Sequence, residues 1–129
     1  NSFSGNEPNI ETFYNMELSD LNEDFSKIKK IASKFGKIYF SVKDGKMIME
    51  TTDKTNPNAN SLSFTIGNAK EKDLYMHFDY KIVNSLFSMI EPERFNVSFT
   101  YLHEQEAGMM IVQNSDNTER YYIPSSQEY

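Results

Sequence analysis

Three lysines stand at 27, 30 and 34, within residues 21–35, and Leu21, Phe25, Ile28, Ala32 and Phe35 recur on the opposite face. That spacing predicts a helix with one apolar stripe for a core and one cationic stripe for something else. Residues 24–37 hold five of the chain's 13 basic residues and one of its 19 acidic ones. The rest of the chain has eight basic and eighteen acidic residues, a charge of −10 against −6 for the whole. A positive field focused on an acidic body suits a polyanion approached from one side. By spacing alone the row also fits the solvated face of an amphipathic helix, the usual fate of a charge run. The scarcity of acidic partners beside it, in a chain rich in acids, argues against that.

Other groups capable of chemistry are scattered. His77 and His103 fall on separate strands with no carboxylate at metal spacing, so each is expected as a satisfied or exposed histidine and not as a ligand. Glu91 with Glu93, and Glu104 with Glu106, sit at turns and read as solvated loop charge. There is no Cys, which excludes thiolate metal sites, disulfides and cysteine nucleophiles. No Gly-rich phosphate loop or nucleophile–base pair is present. The expectation is a protein that is not an enzyme and has no metal or cofactor. Near the carboxyl end, Tyr121 and Ile123 share one face of a strand and read as core. Tyr122 and Pro124 share the other. That pair reads either as an ordinary final strand with its stop signal or as an anchor pocket for a partner peptide.

The elements that must position these residues follow from periodicity and turn chemistry. Residues 12–18 are a short strand. Ser19 or Asp20 is expected to cap the basic helix, with Glu23 completing a capping box, and Gly36 to stop it. Ile38, Phe40 and Val42 alternate with Tyr39 and Ser41. Asp44-Gly45 is a strong hairpin turn, and residues 46–52 return with Met47 and Met49 on the core face. Residues 53–60 read as a loop. Strands are expected at 61–67 (Leu62, Phe64 and Ile66 inward; Ser61, Ser63 and Thr65 outward) and at 74–78. A second helix is expected over 79–90, with Val83, Leu86, Phe87 and Ile90 on its apolar face and Lys81, Ser85 and Ser88 opposite. Strands at 95–102, 108–113 and 118–123 complete the order β-α-β-β-β-β-α-β-β-β, an α+β class with two helices packed on antiparallel sheet.

A chain of 129 residues, 14% aromatic, fits one domain with a sizeable core. No apolar run approaches the ~20 residues that span a bilayer, so no membrane partner is expected. Residues 1–11 read as a linker, 12–125 as the domain and 126–129 as a tail.

This order resembles one domain of a DNA sliding clamp, the group of proliferating cell nuclear antigen, archaeal clamps and phage polymerase processivity factors. Three stretches carry the resemblance: DFSKIKKIASKFGKIYFSVKDGKMIMET, LYMHFDYKIVNSLFSMI and RYYIPSS. The first looks like the basic helix, Gly stop and Asp-Gly hairpin of clamps, the second like their strand running straight into the second helix, and the third like their final strand and tail. The 53–60 loop and the 104–108 turn depart from the pattern. The resemblance implies the carboxy-terminal domain of a longer subunit, with residues 1–11 left from an interdomain connector. It implies a processivity factor that encircles double-stranded DNA as a homo-oligomeric ring inside the cell and tethers DNA polymerase, placed by a clamp loader. It reverses the weighing of the lysine row: Lys27, Lys30 and Lys34, with Lys37 and Lys81 at the margin, would line the channel. Sliding needs long, mobile, sequence-blind phosphate contacts, which Lys supplies better than Arg. It also assigns Tyr122 and Pro124 to partner-peptide docking, and Ser61, Ser63, Thr65 and Gly67 to a subunit interface along an unprotected sheet edge. Thirteen Asn and eleven Lys against two Arg suit an AT-rich, phage-like genome. The competing reading is a small-ligand or lipid-binding α+β domain. Apolar faces already rich in Phe and Met leave little room for its pocket.

Overall fold

A computed structural model of the chain describes residues 12–52, 61–70, 72–102 and 107–126. The linker expected at 1–11, the loop at 53–60, His103, Glu104 and Glu106, and residues 127–129 lie outside the described residues. The elements run β1 (Thr12–Glu17), α1 (Leu18–Phe35), β2 (Lys37–Lys43), β3 (Lys46–Thr52), β4 (Ser61–Asn68), β5 (Leu74–Asp79), α2 (Tyr80–Met89), a single 3-10 turn (Pro92–Arg94), β6 (Phe95–Leu102), β7 (Ala107–Asn114) and β8 (Arg120–Pro124). The α+β order read from the sequence is the order observed.

The strands form two antiparallel four-stranded sheets, β1-β6-β7-β8 and β4-β3-β2-β5. The chain is thus a βαβββ unit repeated, and each unit's first strand is lodged in the other's sheet. β1 pairs with β6, from Thr12 opposite Thr100 to Glu17 opposite Asn96, and β5 pairs with β2, Phe78 opposite Ile38. Inner faces meet through aromatic rings. Phe99 of the first sheet lies 4.8 Å from Phe40 and 6.4 Å from Phe78 of the second, centroid to centroid. Leu21, Phe25, Ile28 and Ala32 seal α1 onto this core, and Val83, Leu86 and Phe87 do so for α2.

Local chemistry explains the boundaries. Gly36 takes φ 76°, and its N–H donates to the Ala32 carbonyl at 2.8 Å, closing α1. Asp44 and Gly45 both have positive φ, as a two-residue hairpin turn requires. The Asp79 carboxylate accepts from the N–H groups of Lys81 (2.8 Å) and Ile82 (3.4 Å), capping α2. α1 starts differently from the expected Ser19 or Asp20 cap with its Glu23 capping box. It starts at Leu18, with Glu17 at the cap position and no side-chain cap bond. The buried side chains Leu18 and Leu21 fix that first turn by packing instead.

Facing and exposure part company at two positions. Tyr39 faces away from the core as read, yet it is buried on the outer face of its sheet, its ring centroid 5.6 Å from that of Tyr75 and 5.5 Å from that of His77. Leu62, read as inward, is 36% exposed, because it sits near the start of an edge strand.

At one margin a tyrosine joins the two sheets. Ile66 is the extra residue of a bulge, since Met47 pairs with Gly67 and Ile48 with Thr65. Its carbonyl accepts from the Tyr14 hydroxyl of β1. A Cβ at Gly67 would fall 2.1 Å from that hydroxyl oxygen, so glycine is what lets the ring in. Burial, and secondarily the Asp24 carboxylate, push the Tyr14 phenol pKa above 10.0. At the opposite margin the Ser126 N–H donates to the His77 carbonyl at 2.8 Å, tying the end of the first sheet to β5.

Candidate nucleic-acid interface

The outer face of α1 is built by default. Burial of Leu21, Phe25, Ile28 and Ala32 turns Glu23, Lys27, Lys30 and Lys34 to solvent along one row. The row has a polarity that the cluster of lysines alone does not reveal. Asp20 and Glu23 occupy its amino end and the lysines its carboxyl half, an arrangement that also complements the helix dipole. Lys30 and Lys34 are exposed. Lys27 is tethered: its ammonium is 3.6 Å from the Asp24 carboxylate, three residues away, and 5.8 Å from the centre of the Phe64 ring on β4. Such an exposed pair is weak, yet it draws Lys27 toward the β4 flank.

Lys37 and Lys81 fall where the helix ends converge. The Tyr80 N–H donates to the Gly36 carbonyl at 2.9 Å, joining the carboxyl end of α1 to the amino end of α2. Lys37 pairs across strands with Asp79, the residue that caps α2. Both lysines are exposed, close to the end of the row that Lys34 terminates. The arrangement offers mobile cations without a rigid donor pattern, suited to phosphate oxygens and unsuited to reading bases. Lys29 is also exposed, lies off the row by helical spacing, and went unread in the sequence.

The other candidate residues lie elsewhere. β4 is an edge strand with Ser61, Ser63 and Thr65 exposed. Gly67 is set apart from them by the bulge and faces the Tyr14 hydroxyl. Tyr122 is 48% exposed, and its hydroxyl accepts from the Arg120 guanidinium at 3.1 Å. Tyr122 pairs with Ile111 and Pro124 with Met109 on the outer face of the first sheet, so two partly exposed apolar side chains join the pair named from the sequence. Tyr121 is half-buried against Phe95, and Ile123 is buried. Sequence reasoning passed over Ile82 and Met89, which are 53% and 69% exposed on α2. Among the described residues no group of three His, Asp or Glu could hold a metal ion, and no helix is long and apolar enough to cross a membrane.

No family model matches the sequence, and no curated protein does. Solved structures do match. The DNA polymerase III beta subunit of Thermotoga maritima superposes with a TM-score of 0.63 at 16% identity, covering 100% of this chain and 34% of that one. The beta chain from Streptococcus pneumoniae gives 0.67 at 12%, covering 99% and 34%. The polymerase sliding clamp of Pseudomonas aeruginosa gives 0.67 at 15%, covering 98% and 34%. The fold is that of a single sliding-clamp domain. The chain spans about a third of the length of these clamp chains.

Proposed function

We propose that this chain is one domain of a DNA polymerase processivity factor, part of a ring that encircles duplex DNA and tethers a polymerase. The observation that carries the reading is the exposed Lys30–Lys34 row on the outer face of α1, on a scaffold shared with solved clamps. Tethering raises effective concentration by topology, so the role needs no catalytic group. The β4 edge at Ser61, Ser63 and Thr65 serves ring assembly. The Tyr122, Pro124, Ile111 and Met109 surface receives a partner segment with apolar anchors, from polymerase or clamp loader. Residues 12–125 act as one clamp-type domain, and residues 1–11 as a linker. A phage source and action at replicating DNA inside the host cell belong to the same proposal. The lipid- or ligand-carrier alternative is disfavoured because Phe40, Phe78 and Phe99 fill the space between the sheets.

The test is salt dependence. Binding of this chain to a short duplex should be weak, and the plot of log affinity against log salt should lose about one unit of slope per phosphate contact removed. Lys30→Glu and Lys34→Glu should each flatten it, Lys27→Glu less, since Asp24 already engages Lys27. An unchanged slope in the triple variant, with circular dichroism intact, sinks the assignment.

A further inference from the structure

One carboxylate interrupts the approach to the lysine row. Glu23 is exposed and stands in line with Lys27, Lys30 and Lys34. It forms no capping box, because α1 begins without a side-chain cap bond. It lies past the first turn, whose acid is Asp20, and a carboxylate acts on the helix dipole mainly within that turn. By spacing it should pair with Lys27, four residues on, the favourable order for such a pair. The Lys27 ammonium lies instead 3.6 Å from the Asp24 carboxylate and 5.8 Å from the centre of the Phe64 ring. Among the described residues Glu23 makes no ion pair.

Its place in the row gives the carboxylate a role. Glu23 and Lys30 are two helical turns apart, about 10 Å along the axis. Of the row, only Lys27 lies between them, and it leans toward Phe64 on β4. The separation matches the Debye length, about 10 Å at 0.1 M salt. A phosphate held by Lys30 therefore feels Glu23 at low salt and scarcely at high salt. A phosphate any nearer the amino end of α1 meets the carboxylate directly. Contacts that slide must be weak as well as blind to sequence, and an acid in line with the cations loosens the grip without removing a contact.

We infer that Glu23 is a positioning residue for duplex DNA: it confines phosphate contact on α1 to Lys30 and Lys34 and holds the affinity down. The inference rests on the reading of this face as a duplex-binding surface and assigns one of its acids a part in it. The experiment makes one chemical change at two places. Glu23→Gln and Glu50→Gln remove the same charge from the chain. Glu50, however, pairs with Tyr39 on the outer face of the second sheet, and its neighbours Met49 and Thr51 are buried.

Binding to a short fluorescein-labelled duplex is followed by anisotropy across a salt series. At low salt Glu23→Gln should bind about two- to threefold more tightly than the parent, and Glu50→Gln much less so. The advantage should fade as salt passes about 0.1 M. Glu23→Lys should lengthen the row and steepen the plot of log affinity against log salt by about one unit. Glu23→Asp keeps the charge and should behave as the parent. A purely structural role for Glu23 would shift the thermal melt and leave the salt slope alone. A Glu23→Gln variant that binds no more tightly than Glu50→Gln, or a Glu23→Lys variant with the parent's slope, overturns the inference. If Lys30→Glu and Lys34→Glu weaken binding in that case, the duplex reading stands and only the role of Glu23 falls. If neither lysine variant weakens binding, both fall.

Discussion

The first half of the molecule, β1 to β4, and the second, β5 to β8, follow one plan and differ where the plan is silent. Counted from the first helical residue, Leu18, Leu21, Phe25 and Ile28 correspond to Tyr80, Val83, Phe87 and Ile90. Those positions are apolar in both halves because both helices must seal a sheet. Counted the same way, Asp20 and Lys27 correspond to Ile82 and Met89. α1 runs for 18 residues with acids first and lysines last, whereas α2 runs for 10 and carries Lys81 alone as a charge. Packing dictates the inner faces, and the outer faces are left for function to differentiate. The outer face of α1 carries a row of exposed lysines, and that of α2 carries the exposed apolar side chains Ile82 and Met89.

The comparison can be broken at the shared core. Phe99 belongs to the second half by sequence, but its ring packs 4.8 Å from Phe40 of β2 in the first half, beside Phe78 of its own half. Phe99→Ala should cost about 3–5 kcal/mol. The two halves should still melt together, so urea unfolding followed by far-UV and tyrosine signals should give coincident curves. Separate transitions would show that the halves are independent.

A smaller effect tests the seam between them. Gly67→Ala should cost about 1–3 kcal/mol, because the new methyl displaces the Tyr14 ring. In a Tyr14→Ala background most of that cost should vanish, and a double-mutant cycle by denaturant melts measures the coupling. Equal costs in both backgrounds would place the strain elsewhere.

The smallest effect separates the two helix starts. Asp79→Ala should lose about 1 kcal/mol, since that carboxylate caps α2. Glu17→Ala should change stability by less than about 0.5 kcal/mol, because α1 has no side-chain cap to lose. Matched thermal melts of the two variants decide it.

These differences also mark what was legible in the sequence. Element order, the Gly36 stop and the Asp44-Gly45 turn were readable because each depends on neighbours within a few residues. The split into two sheets was not, since a period of two shows which face is apolar and says nothing of which strand lies alongside. The start of α1 misled because Ser19, Asp20 and Glu23 mimic a cap, while burial of Leu18 decides the matter. The burial of Tyr39 was not legible because Tyr75 and His77, which lie beside it, come from β5, a strand distant in sequence. The lysine row was legible as a row, since helical spacing alone defines it. The tether on Lys27 was not, because Phe64 reaches it from a strand distant in sequence.

The exchange of first strands between the halves has a kinetic consequence. Thr12 must find Thr100, so the chain has to emerge through β6 before β1 can pair. Such distant pairing closes a large loop at an entropic cost, and folding governed by it is slow. Until β1 pairs with it, the β6 edge stays open to any other extended strand. A nascent chain is therefore most prone to misassembly in the interval after β6 is made and before β1 returns to it, and a partner that shields that edge would speed productive folding without touching the finished protein.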